Sequence, residues 1–278
     1  MMERSESTFK SRHGYELYCQ SWQAGSPRAK VIIAHGLAEH SGRYGKLASY
    51  LTQRGYGVFA YDYRGHGRSG GQRCYISRFA DYAEDLNAYV KVVQETGPEA
   101  KVFVLGHSMG GTVATAWAAD FKPAIAGLVL SSPLLKVGDS ITPGTIRLAK
   151  VLARLLPRVG VAPIESDAIS RDEAVVKAYV TDPLVYRGKI TARLGAELLT
   201  QINERLPRRL AEIILPVLII HGTEDRLSNP DGSRLAYQRV SSGDKTLRLY
   251  PGLYHETMNE PEAAQVLEDI GLWLDCHA

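Results

Sequence analysis

Cysteine is scarce in this chain. Cys19, Cys74 and Cys276 lie far apart and form no Cys-x-x-Cys pair, and an odd number argues against a disulfide framework. Long apolar runs are missing as well. No uncharged stretch approaches the ~20 residues a membrane-spanning helix needs, and Met1 to Ser7 hold no apolar segment of the secretory type. Neither charge dominates: 33 basic residues face 30 acidic ones, a net +3, which is too even for a nucleic-acid binder. There is no His-Glu-x-x-His and no repeat, so no metal site is expected. These absences leave 278 residues that are 45% apolar, enough for one large α/β domain or one domain with an insertion. A reduced, cytoplasmic compartment is the expectation.

Thr8 to Lys10 and Leu17 to Trp22 flank the turn Arg12-His13-Gly14 and read as an opening hairpin. Val31 to Ala34 is a short run apolar on both faces, which suits a central parallel strand. Tyr44 to Arg54 reads as a helix closed by Gly55. Val58 to Tyr61 is the next strand, Phe79 to Glu95 the next helix, and Val102 to Leu105 and Ile125 to Leu130 are further strands. This alternation predicts a mostly parallel sheet with helices on both faces. After Ser131-Ser132-Pro133 the alternation breaks. Residues 134–212 show no sheet-like run, read as helical, and carry 13 basic against 9 acidic residues, so the positive excess of the chain lies there. Pro216 to Gly222, Leu247 to Tyr250 and a closing helix from Glu262 to Leu274 resume the pattern. The expected organisation is a core of 1–133 and 213–278 interrupted by a helical insertion at 134–212.

Gly106-His107-Ser108-Met109-Gly110 follows the run Val102 to Leu105 and leads into a small-residue stretch from Thr112 to Ala119. Strand, Gly-x-Ser-x-Gly, helix is the setting of a nucleophile elbow, which holds a serine hydroxyl at the end of a sheet. A serine hydroxyl needs a base, and the base needs an acid to hold its tautomer. In such a sheet they follow later strands in the order serine, acid, histidine. Asp225 comes just after the run ending at Ile220, with Glu224 beside it as the alternative acid. His255 comes just after the run ending at Tyr250, and of the eight histidines only His277, at the terminus, also lies beyond that last strand. The oxyanion donors expected from position are the backbone N–H groups of Met109 and Leu37.

Gly65-His66-Gly67-Arg68-Ser69-Gly70 spells a dinucleotide fingerprint, but loop rather than helix follows it. Nucleotide binding is therefore not expected, and no cofactor is.

His35-Gly36-Leu37-Ala38-Glu39-His40-Ser41-Gly42-Arg43-Tyr44, Gly65-His66-Gly67-Arg68-Ser69, Gly106-His107-Ser108-Met109-Gly110-Gly111 and Asp182-Pro183-Leu184 together resemble the monoacylglycerol lipase family of serine hydrolases. The resemblance implies the α/β-hydrolase fold, with Ser108, Asp225 and His255 as triad. It implies a small lipid ester as substrate, with Glu39, Arg43 and Tyr179 at the polar end of the pocket. Some relatives carry a second histidine three residues after the catalytic one, where this chain has Met258. Lysophospholipases and related esterases share much of the pattern, and both stay open. So do amide, thioester or perhydrolysis chemistry and a relative that binds without turnover. The insertion would be a cap. Ile146 to Leu156 is amphipathic, with Arg147, Lys150 and Arg154 on one face and leucines around the other. Leu152 and Leu156 are expected to line an acyl tunnel, and the cap is the part expected to meet a membrane surface.

Overall fold

The computed structural model describes residues 2–97, 99–137, 142–163 and 165–278. Its centre is an eight-stranded sheet. The strands are β1 (Glu3–Lys10), β2 (Glu16–Gln23), β3 (Ala29–Ala34), β4 (Tyr56–Tyr61), β5 (Lys101–His107), β6 (Gly127–Ser131), β9 (Val217–Gly222) and β10 (Lys245–Tyr250). They run in the order β1-β2-β4-β3-β5-β6-β9-β10. β2 pairs antiparallel with β1 and β4, and every pairing from β4 across to β10 is parallel. The expected strands are all present; most extend one to several residues beyond their apolar runs, while β6 starts two residues later than its run and β9 one.

Side-chain alternation divides the core in two. Ile32, Val104, Leu130 and Ile219 face α2 (Ala80–Glu95), α3 (Met109–Phe121) and α8 (Asp231–Arg239). Ile33, Leu105, Val129 and Ile220 face α1 (Gly45–Gln53) and α9 (Ala263–His277). Because both faces are covered, the strands tolerate no regular polar position and read as continuous apolar runs. Gly55, at φ +85°, ends the first helix as its sequence indicated.

Between β6 and β9 lie α4 (Pro143–Leu155), α5 (Glu173–Thr181), α6 (Ala192–Thr200) and the short α7 (Leu206–Arg209). A π-helical turn over Gln201–Arg205 joins the last two. The insertion is not purely helical: β7 (Gly160–Ala162) and β8 (Ile190–Thr191) form a small antiparallel pair. Three of the hydrogen bonds that tie it to the core lie near the site. His40 Nε2 meets Asp182 at 2.9 Å, and the Tyr186 amide donates to the Ala38 carbonyl at 2.8 Å. The Glu256 amide donates to the Ile169 carbonyl at 2.7 Å. Among the described residues no helix is long and apolar enough to cross a membrane.

Candidate active site

The sharp turn from β5 to α3 puts Ser108 at φ +53°, ψ −120°, a conformation few L residues adopt. The two flanking glycines are sterically required. A Cβ on Gly106 would strike the Gly110 carbonyl, and one on Gly110 would overlap the Ala34 carbonyl at the end of β3. The Ser108 amide donates to the Ser131 carbonyl at 3.0 Å, which locks the turn to β6. α3 begins at Met109 and is buried along its small residues, so its N-terminal amides lie at the serine.

Asp225 and His255 sit just past the carboxyl ends of β9 and β10. Asp225 Oδ2 accepts from His255 Nδ1 at 2.7 Å, His221 Nε2 at 3.0 Å and Ser228 Oγ at 2.8 Å. Asp225 Oδ1 accepts from the amides of Leu227 and Ser228 at 2.8 and 2.9 Å. Burial alone would raise the pKa of this carboxyl. The His255 charge and these hydrogen bonds outweigh it and hold the group well below the usual carboxylate range. His255 is itself buried, which favours the neutral ring, yet the Asp225 carboxylate pulls its pKa above the ordinary value. Glu224, the alternative acid, is exposed to solvent. His107, buried and beside His255 with ring centres 4.8 Å apart, is pushed down to about 4 and is neutral.

Ser108 and His255 line one cavity of about 440 Å³ together with Gly36 and Leu37. Its apolar wall comes from Leu134, Val137, Ile169, Ile190 and Leu227, and its polar wall from Glu39, Tyr179 and Glu256. Arg43 lies behind that polar wall. Its Nη1 donates to Glu39 at 2.5 Å and to Glu256 at 2.6 Å, its Nη2 donates to Glu256 at 2.9 Å, and its guanidinium lies 4.6 Å from the centre of the Tyr179 ring. Glu39 also accepts from the Gly36 amide at 2.5 Å and from Tyr44 Oη at 2.7 Å. Burial opposes its charge, but Arg43 prevails and holds it at about 2.

Two expected residues fall elsewhere. Leu152 is half-buried, Leu156 is 53% exposed, and neither is among the residues lining the cavity. The reason is how α4 docks. It packs against α6, and its buried and half-buried positions are Ile146, Ala149, Leu152 and Ala153. The small alanines set the inward side, while Leu148, Val151 and Leu155 stand 67%, 50% and 70% exposed.

Sequence reasoning passed over Ser228 and Glu256. Their proximity to Asp225 and His255 in the chain was the available signal. The dinucleotide-like loop proves to be a brace: Asp62 accepts from Ser41 Oγ at 2.6 Å and from the Arg68 amide at 2.8 Å, with Gly65 and Gly67 at positive φ. Among the described residues one cluster has metal-ligand proximity, His13, Asp81 and Glu84. Its carboxylates pair with Arg78 and Arg12, at 2.5 and 3.9 Å, and none of the three lines the cavity.

A mostly parallel sheet with a serine at a strand-to-helix elbow, and an acid and histidine after later strands, defines an α/β-hydrolase. The family described as serine aminopeptidase, S33, matches residues 25–262. A monoacylglycerol lipase of Mycolicibacterium smegmatis is 40% identical over 275 residues, covering 99% of this chain and 98% of the relative. The human monoglyceride lipase is 38% identical over 265 residues, 94% of this chain and 87% of the relative. The crystal structure of a monoacylglycerol lipase from Paleococcus ferrophilus superposes with a TM-score of 0.82 at 31% identity, covering both chains fully. The chain belongs to the monoacylglycerol lipase family of serine hydrolases.

Proposed function

We propose that the chain hydrolyses monoacylglycerol to a fatty acid and glycerol through an acyl-enzyme on Ser108. His255 takes the Ser108 proton, and Oγ attacks the ester carbonyl. The amides of Met109 and Leu37 hold the oxyanion, each donor being worth roughly 10²–10³ in rate in comparable sites. Collapse of the intermediate expels glycerol, which leaves with the proton from His255. A water, giving its proton to His255, then attacks the acyl-enzyme. The fatty acid departs and Ser108 recovers its proton. Asp225 keeps the imidazole in the tautomer that this cycle needs. Glu39, Arg43 and Tyr179 form the polar end that receives the glycerol head, and the apolar wall receives the acyl chain.

The observation that carries this reading is the shared cavity. Ser108 and an Asp225-bound His255 open onto an apolar wall on one side and Glu39 and Tyr179 on the other. Residues 134–212 act as the cap. Its outer helix face sets Leu148, Val151 and Leu155 beside Arg147, Lys150 and Arg154, which suits peripheral contact with an anionic lipid surface. The test is fatty-acid release from a monoacylglycerol, a triacylglycerol and an aminoacyl amide, with Ser108→Ala alongside. Release mainly from the monoacylglycerol is expected, and the variant should lose it by about 10⁶. Cleavage of the amide in preference to the ester would overturn the reading.

A further inference from the structure

Glu256 immediately follows His255, and the expected pocket residues did not include it. Its carboxylate is buried and takes Arg43 bidentately, at 2.6 and 2.9 Å, while Asn259 Nδ2 donates to Oε2 at 2.8 Å. Arg43 thus serves two carboxylates. Both hydrogens of Nη1 and one of Nη2 are committed, the Tyr179 ring covers the guanidinium, and its side chain is only 11% exposed. The end-on fork of that guanidinium is filled by Glu256, and Arg43, with Nε and one Nη2 hydrogen left over, is not among the residues lining the cavity at Ser108.

The surface left for a headgroup is made of acceptors. A carboxylate offers about four lone-pair sites. Glu256 uses three, for Arg43 twice and Asn259. Glu39 likewise uses three, for Gly36, Tyr44 and Arg43. Each keeps one acceptor position. The charged residues lining the cavity and the small void behind it are Glu39, Glu165 and Glu256 against Arg43 and Arg226, an excess of one negative charge. Arg226 and Glu165 are both exposed, so they sit at the mouth, where water screens them. At the buried end the count is two carboxylates to one guanidinium.

We propose that Glu256 is a specificity-determining residue: by occupying Arg43 it makes the polar end an acceptor-rich, negatively charged surface that favours esters of an uncharged polyol and rejects phosphate-bearing headgroups. Hydroxyls donate to the two free acceptor positions, whereas a phosphodiester brings only acceptors and a like charge. The inference deepens the function proposed above and rests on it.

The experiment measures kcat/KM for oleoylglycerol and oleoyl-lysophosphatidylglycerol, each relative to methyl oleate, which has no polyol or phosphate head. Glu256→Gln should shift the ratio toward the phosphate ester by tenfold or more, and Glu256→Asp, which keeps the charge, should hold the wild-type ratio. An unchanged ratio in Glu256→Gln, or an equal shift in both variants, would overturn the proposal. A second measurement needs no variant: competition of glycerol and of glycerol 3-phosphate against methyl oleate in the wild-type protein. Glycerol should inhibit at a concentration at least tenfold lower. Equal inhibition, or stronger inhibition by the phosphate, overturns the proposal. Wild-type protein that cleaves methyl oleate but not oleoylglycerol would remove the monoacylglycerol reading, while the competition still reports on the charge of the pocket.

Discussion

β3, β6 and β9 are buried from end to end, and β5 everywhere but Lys101, whereas α4 turns Leu148, Val151 and Leu155 outward. Both regions are rich in apolar side chains. In the sheet those side chains are covered by the chain's own helices, so the backbone ends that present Ser108 and Asp225 are fixed from two sides, and His255 follows the edge strand β10 beside them. A reacting constellation needs positions held to about half an ångström, and a doubly covered sheet supplies that. In α4 the inward contact is made by Ile146, Ala149, Leu152 and Ala153, while Leu148, Val151 and Leu155 are left outside. The contrast teaches that apolar content alone does not reveal what the apolar surface is for. One region uses it to hold the site, the other presents it to the surroundings.

The contrast breaks most visibly in stability. Leu105→Ala, in the sheet, should cost roughly 2–5 kcal/mol in denaturant unfolding, whereas Leu155→Ala should stay within about 0.5 kcal/mol. Comparable losses at both sites would erase the distinction. A second effect belongs to the buried side. His255 must be neutral to act as base, and Asp225 raises its pKa above the usual 6.5. Activity should therefore be lost as pH falls through a midpoint above 6.5, and a shift of one unit changes the rate at a fixed acidic pH by about tenfold. A profile of kcat/KM that is flat from pH 5 to 8 contradicts this. The smallest effect on the fold, and the most telling for the outer face, comes from Leu148→Ser with Leu155→Ser. Thermal unfolding should barely move, while co-flotation with phosphatidylglycerol vesicles should fall several-fold. Undiminished flotation would take the membrane away from this helix.

The alternating fold was legible because parallel strands covered on both faces leave unbroken apolar runs. α8 was not, since its buried positions are Gly232, Ser233 and Ala236, which give no apolar period. The pair β7 and β8 is too short to carry a pattern. At the candidate site, Ser108, Asp225 and His255 each adjoin a readable strand, so chain order alone placed them near one another. Glu256 adjoins His255, a signal of position only; its pairing was not readable, because its partner Arg43 is 213 residues away. Leu152 and Leu156 illustrate a different limit. Amphipathic spacing marks two faces of a helix without saying what the inward one meets: Leu152 is half-buried on the side that packs against α6, and Leu156 is exposed past the helix end.

The carboxylate of Asp225 accepts five hydrogen bonds, from two imidazoles, one hydroxyl and two amides. That fills the roughly four lone-pair sites a carboxylate offers. These donors stabilise the charged carboxylate and hold its pKa well below the usual range, so in the proposed cycle it anchors the imidazole and does not take its proton. In the proposed cycle the hydrogen between His255 Nδ1 and Asp225 stays where it is, and a single hydrogen, the one leaving Ser108 or water, is in flight at each step. In mixtures of light and heavy water the rate of the chemical step should therefore fall along a straight line with deuterium fraction, without the downward bow that two hydrogens moving together would give.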